Sequence, residues 1–293
     1  MVDLKEIKSV KLAPFTRMSA SIYGILGLIG ALVMSTALII IQALGVLPQL
    51  GQFNLVTGVG IPLLILFPIG AFLITITVSF FSAMLYNALV SRLGGIKLEL
   101  DGKEVVKIPV VSFALILSAI GAVWALIAGL VMAAVISPLF SLITTLPQAA
   151  NITANFTNVT GATLPTGVGF GAFGAIVTLL LIIGLPIMVF VFGFIWNALF
   201  AIFYNYVATR VAKINLEFSQ ISGDLHELKH IPVLPTALAV AIVYALLGLL
   251  GILSGNFTEF ITNFVMYFIE TALIALLYNY LAPKIGSIKL NLE

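Results

Sequence analysis

His226-Glu227-Leu228-Lys229-His230 is the one stretch of this chain with the spacing of an enzyme motif. On a helix, histidines at i and i+4 share a face and can hold one zinc while the glutamate serves as base. The surrounding pattern argues against a helix. Aligned on the following Ile-Pro, these five residues overlay Lys103–Lys107, which reads as the returning strand of a hairpin. Along a strand the two histidines stand about 13 Å apart, too far to share a metal. A third ligand is also hard to supply, since Glu270 falls mid-span and Glu259 on the opposite side. The expectation is a coincidental motif, with His226 and His230 holding no metal, no cofactor and no enzymatic activity.

Glu270 is the one ionisable residue deep inside a predicted span. It lies fourteen residues before Lys284, roughly 21 Å of helix, so it reaches neither surface easily. Such residues are costly in a bilayer and mark either a pathway or a polar lock between helices. Asn87, Asn205 and Asn279 are the other polar candidates. Each follows a tyrosine (Tyr86, Tyr204, Tyr278), and a basic residue stands six positions after each tyrosine (Arg92, Arg210, Lys284). One Asn per copy at equal depth would suit a pore mouth. It would equally suit a structural hydrogen bond across helices or to neighbouring strands, which is the expectation here. The tyrosines read as interfacial anchors.

The elements that carry these residues are helices made for lipid. The chain is 61% hydrophobic and 8% charged, against roughly 25% charged in soluble domains. Residues 18–91 and 108–209 contain no Asp, Glu, Lys or Arg. Each gap accommodates two spans of about 20 residues, and a third pair fits between Pro232 and Lys284. Six spans are expected, near 19–44, 61–91, 110–137, 169–209, 235–253 and 260–282. All thirteen Lys and Arg residues fall in the N-terminus, the 92–109 and 210–234 connections and the C-terminus. The positive-inside rule places those segments, and both termini, in the cytoplasm of a multi-pass cell-membrane protein. Most of the acids share that side, so it is only mildly basic: a lipid bilayer is the expected partner, and nucleic acid is not. Four sequons, at Asn151, Asn155, Asn158 and Asn256, lie in the expected outer loops and are candidate glycosylation sites. With no cysteine, disulfides and thiolate metal sites are excluded.

The Tyr-Asn phrase occurs three times, ending in Ile96-Lys-Leu98, Ile214-Asn-Leu216 and Ile288-Lys-Leu290, and each tail alternates as a strand does. Lys11-Leu-Ala-Pro14, Lys107-Ile-Pro109 and His230-Ile-Pro232 precede the first helix of each pair, where proline suits a first turn. Pro68 and Pro186, each eighteen residues before its tyrosine, predict matched kinks. Asp101-Gly102 and Ser222-Gly223-Asp224 are turn signals between strands. The expected fold is an α-helical integral membrane protein with six transmembrane helices. They form three hairpin repeats, 1–100, 101–219 and 220–293, about a pseudo-threefold axis, with short cytoplasmic β-hairpins. The third strand pair is closed by the N- and C-terminal strands.

The unit of a helix pair, Leu85-Tyr86-Asn87 and then Gly94-Gly95-Ile96 resembles a bacterial transmembrane family of unknown function. Its members carry a single such pair. The resemblance covers about residues 5–100. The later copies depart from it, with Ala212-Lys213 and Gly286-Ser287 in place of the glycine pair. The resemblance implies that single-pair relatives assemble as trimers and that this chain fuses three copies; it brings no activity. The expected function is a non-enzymatic scaffold or subunit of a membrane complex, with protein partners. A small channel or transporter along the axis is the alternative, and an intramembrane zinc protease a distant third.

Overall fold

A backbone in hydrocarbon must satisfy its own hydrogen bonds, so uncharged runs of this length fold as helices. The computed structural model describes residues 2–44, 56–145, 170–250 and 258–293. The sequon residues Asn151, Asn155, Asn158 and Asn256 lie outside the described residues. The helices are α1 (Leu12–Ala43), α2 (Ile61–Leu93), α3 (Val110–Thr145), α4 (Phe170–Leu179), α5 (Leu185–Tyr206), α6 (Val233–Gly248) and α7 (Thr258–Ile285). A π-helical segment, Leu180–Gly184, joins α4 to α5. Among the described residues five helical stretches are long and apolar enough to cross a membrane: Leu12–Ala43, Gly58–Leu93, Val110–Ile136, Gly174–Arg210 and Thr258–Ile285. The sixth expected span is represented by α6, an apolar helix of 16 residues, about 24 Å long against a hydrocarbon core of about 30 Å. Length and composition make the chain compatible with a membrane protein.

The two prolines behave differently. Pro186 follows directly on the π-helical segment, where widened turns accommodate the missing N–H donor and the ring. Pro68 lies within α2, which runs α-helical on both sides of it. The sequence spacing is matched; the local backbone is not.

The charged connections fold into one antiparallel sheet. Its strands are β1 (Val2–Val10), β2 (Lys97–Asp101), β3 (Glu104–Lys107), β4 (Glu217–Ser222), β5 (Leu225–His230) and β6 (Lys289–Leu292), in the order β3-β2-β1-β6-β5-β4. The turns use Gly102 at φ 61° and Gly223 at φ 51°, a left-handed conformation that glycine adopts without a Cβ clash. The terminal strands are neighbours: Ile7 pairs with Leu292 and Val10 with Leu290. Glu6 and Glu293 exchange backbone hydrogen bonds of 2.7 and 3.0 Å. The outer edge of β3 is bonded as well. Val105 N–H donates to Ile214 O and Leu216 N–H to Lys103 O, both at 2.8 Å, around a bridge between Glu104 and Asn215. Residues 214–216 run on into β4, so the sheet closes into a six-stranded ring with its edges bonded, as closure requires.

The chain divides into two compact units. One comprises Met1–Ile116 and Ala198–Glu293, the other Leu117–Asn197. The first contains the whole sheet. Its core packs Leu98, Leu100, Val105 and Ile108 against Ala201, Tyr204, Ala239 and Val243. A second cluster joins Leu228 to Met18, Ile22, Tyr278 and Leu281. Leu216 and Phe218 touch both. In the second unit, α3 passes so close to the π-helical segment that a Cβ on Gly129 would lie 2.0 Å from Leu181 O. A comparable approach occurs in the first unit, where a Cβ on Gly27 would stand 2.9 Å from Ala71 Cβ and 3.1 Å from Pro68 Cα. Gly27→Leu is expected to lower stability by about 1–3 kcal/mol through overpacking. Gly70→Leu, with no atom within 4 Å of the added Cβ, is expected to stay within about 0.5 kcal/mol of the parent. Thermal unfolding in detergent measures both.

Candidate functional site

A strand that turns directly into a helix leaves backbone N–H and C=O groups with no regular partner, and burying them bare is costly. The three Tyr-Asn pairs meet this need. Tyr86 OH donates to Ile7 O at 2.6 Å and accepts from Ile96 N–H at 3.0 Å. Tyr204 OH donates to Val105 O and accepts from Ile214 N–H at 3.0 Å. Tyr278 OH donates to Leu228 O and accepts from Ile288 N–H at 3.2 Å. Each phenol therefore pins the strand entering a helix pair to the strand leaving it. All three rings are buried, so they act as internal posts rather than as anchors floating at a surface.

The asparagines complete the joint. Asn87 accepts Val10 N–H and donates to Val10 O, both at 2.8 Å. Asn205 does the same to Ile108 at 2.8 and 2.8 Å, and Asn279 to Ile231 at 2.9 and 2.8 Å. Each side-chain amide imitates a β partner at the end of an approach strand, for its last residue (Val10) or the one just beyond it (Ile108, Ile231). The carbonyl and the NH2 of each amide are both engaged with backbone. Val10, Ile108 and Ile231 thus take the same place in the three joints. Lys11, Pro109 and Pro232 therefore correspond, and Pro14 falls level with Ser112 and Pro235. The proline of the first copy is offset from the other two because it enters α1 one turn later.

Sequence reasoning missed a third element of the joint. Glu6, Glu104 and Glu227 each precede the residue whose carbonyl the tyrosine holds, a Glu-aliphatic-x-x-aliphatic signal that was available in the sequence. Their partners differ. Glu6 accepts Gly95 N–H at 2.8 Å, Glu104 meets Lys213 Nζ at 2.6 Å, and Glu227 accepts from Ser219 Oγ at 3.1 Å. The Gly95 N–H holds the Glu6 carboxyl below the ordinary carboxylate range; burial opposes this, and Lys8 and Lys97 add to it. Gly95 is required here, because a Cβ would lie 2.2 Å from Ile7 O.

Inside the ring the sheet is filled by Leu98, Leu100, Val105, Leu228 and Leu292, all buried. At its open end a cavity of about 460 Å³ includes Asp3, Lys5, Lys103, Glu217 and His226 in its lining. Its charges are paired, Lys5 with Asp3 at 3.1 Å and Lys103 with Glu217 at 3.2 Å. His226 Nδ1 faces Asp224 O at 2.9 Å. His226 and His230 are on β5, a strand, with Gln220 and Glu217 as their cross-strand neighbours. Among the described residues no group of three His, Cys, Asp or Glu side chains is arranged to hold a metal.

Glu270 is on an exposed face of α7. The equivalent positions, Val78 and Trp196, are also exposed. It lies within electrostatic reach of Tyr23 on α1 and Tyr244 on α6, and Tyr244 stacks on Tyr267 at a centroid separation of 3.6 Å. Glu270 is therefore not brought together with the asparagines, which are held at the sheet. Arg92, Arg210 and Lys284 are exposed at the helix ends, with Lys284 Nζ 3.5 Å above the Tyr280 ring.

Comparison with family models, with curated proteins and with solved structures returns no match in any of the three.

Two outcomes follow from the joint. Tyr204→Phe removes one donor and one acceptor from buried backbone groups and is expected to cost about 1–3 kcal/mol in thermal unfolding. Asn205→Asp, which sets a carboxylate against Ile108 O, is expected to cost at least as much. Acidification should act through Glu6. Its carboxyl titrates lower folded than unfolded, so its contribution is present at neutral pH and is lost as pH falls from the ordinary carboxylate range through the depressed folded value. Glu6→Gln is expected to flatten that part of the stability–pH curve.

Proposed function

We propose that this chain is a non-enzymatic scaffold or subunit of a membrane complex, built from three fused helix hairpins. The hairpins, in repeats 1–100, 101–219 and 220–293, stand about a pseudo-threefold axis on a strand ring at the cytoplasmic face of the cell membrane. The single observation that carries this reading is how the repeated polar side chains are used: Tyr86, Asn87, Tyr204, Asn205, Tyr278 and Asn279 all bind backbone of the chain's own sheet. What is repeated serves the frame. The topology is supported by the pairing of β1 with β6 and by both charged connections joining the same sheet, which suits termini and connections on one side of six crossings, α6 being the shortest. The thirteen Lys and Arg residues in those segments favour the cytoplasmic side.

A conduction path would need a continuous polar lining. The leucine-filled ring and the committed asparagines speak for a closed end. The test uses the full chain in phospholipid vesicles and, separately, affinity purification from its native membrane in mild detergent. The expected result is ion flux no greater than in empty vesicles, together with a stoichiometric protein partner. Ion flux that Asn205→Ala alters, with no partner retained, would overturn the proposal in favour of a channel.

A further inference from the structure

We propose that the seam between α1 and α7 is a binding site for one anionic phospholipid, with the phosphate held by Arg17 and Lys284 and an acyl chain in the groove beside them. The ion pairs of the described residues sit in the strand ring and its turns: Lys5, Lys8, Lys97, Lys103, Lys107 and Lys213 each meet a carboxylate within 4 Å. Lys11, Arg17, Arg92, Arg210, Lys229, Lys284 and Lys289 are not among them, and of these Arg17 and Lys284 meet at one seam. Both are exposed at the membrane ends of their helices, and neither has a carboxylate partner among the described residues. Arg17 is the last charged residue before the apolar stretch of α1.

They also converge. A Cβ on Gly286, two residues beyond Lys284, would lie 2.8 Å from Arg17 Nη2, so the guanidinium rests against the turn that leaves α7. The Lys284 ammonium lies over the Tyr280 ring and engages its hydroxyl, which uses one of its three N–H donors and leaves the others for an anion. Two uncompensated cations at a bilayer boundary attract anionic headgroups, and a guanidinium offers paired donors to phosphate oxygens.

One turn further into the helices the character changes. Ser21 lies four residues after Arg17 and Leu281 three before Lys284, so each shares a face with its cation. Both line a groove of about 460 Å³ with Gly24, Ile25, Pro68 and Phe72 among its other walls. Gly24 keeps it open: a Cβ there would already stand 3.3 Å from the Phe72 ring. Cations directly above an apolar groove fit a phosphate head with a hydrocarbon tail better than a free anion.

The seam is particular to this pair of helices. By the asparagine correspondence, Arg17 is replaced by Leu115 and Leu238 in the other copies. Leu238 lines a cavity with Ala212, the counterpart of Gly286. Function by departure from the repeat is thus placed at one seam rather than spread around a ring.

The inference rests on the reading of the helices as membrane-spanning, and its test reports on that reading separately. The full chain is purified in mixed micelles of phosphatidylcholine and phosphatidylglycerol in equal amounts, and bound lipid is counted by native mass spectrometry. The expected result is one retained phosphatidylglycerol per chain. Arg17→Gln with Lys284→Gln should lower its occupancy over phosphatidylcholine about tenfold, and Gly24→Leu should lower it by filling the groove. The Lys8→Gln and Lys103→Gln controls should retain the preference. Unchanged preference in the Arg17/Lys284 variant, or its absence in the parent, overturns the site. Loss with the double variant but not with Gly24→Leu, together with equal competition by glycerol phosphate, reduces it to an anion site and overturns the lipid assignment. Recovery of the chain in the aqueous fraction without detergent would instead overturn the membrane reading itself.

Discussion

The structure depends on how three strand-to-helix junctions satisfy their backbone. At each one the chain leaves the sheet and enters an apolar helix within two residues, too abruptly for a regular cap. The N-cap positions of α1 and α6, Lys11 and Pro232, make no side-chain cap hydrogen bond. The missing partners come instead from the far helix of the same pair, through one phenol and one amide. A helix pair is thereby locked at its base, and its approach and exit strands are fixed in register. The rest of the first unit follows from that lock, including the ring of strands and the apolar filling within it.

Much of this was legible in the residues. The alternation in Ile96–Leu100 and Ile288–Leu292, the Asp101-Gly102 turn and the lack of any other partner for β1 and β6 each had one physical solution. The strand at Leu225–His230 was readable for the same reason, and it takes His226 and His230 out of the helical spacing that the motif needs. What the sequence left open was the destination of each side chain. An Asn at a membrane boundary looks the same whether it faces water or a backbone 77 residues away. The pairing of β3 with residues 214–216 was hidden because the alternation at Ile214-Asn215-Leu216 marks a strand without naming its partner. Glu6, Glu104 and Glu227 were hidden by their different partners. The π-helical segment before Pro186, absent around Pro68, lies where α3 approaches it closely at Gly129, a contact that spacing alone does not encode.

Departures from the repeated pattern then separate into two kinds. Some are structural substitutions with a local reason, such as Lys213 in the place of Gly95, where a side-chain ion pair to Glu104 replaces a backbone hydrogen bond to Glu6. Others add chemistry that the frame does not need. Arg17, which stands where the other two stretches have Leu115 and Leu238, and Glu270, which stands where they have Val78 and Trp196, belong to this second kind. They lie on α1 and α7, the helices that follow and precede the terminal strands.

The central claim is that the tyrosine and asparagine side chains hold the strand ring to the helices. Residue-resolved hydrogen–deuterium exchange in detergent tests it most directly. The account predicts strong protection at the amides of Val10, Ile108 and Ile231, which donate to asparagine, and at Ile96, Ile214 and Ile288, which donate to tyrosine. None of these six donates within a regular helix or strand ladder, so side-chain partners are their main source of protection. Exchange at those amides as fast as in the exposed turns at Gly102 and Gly223 would contradict it.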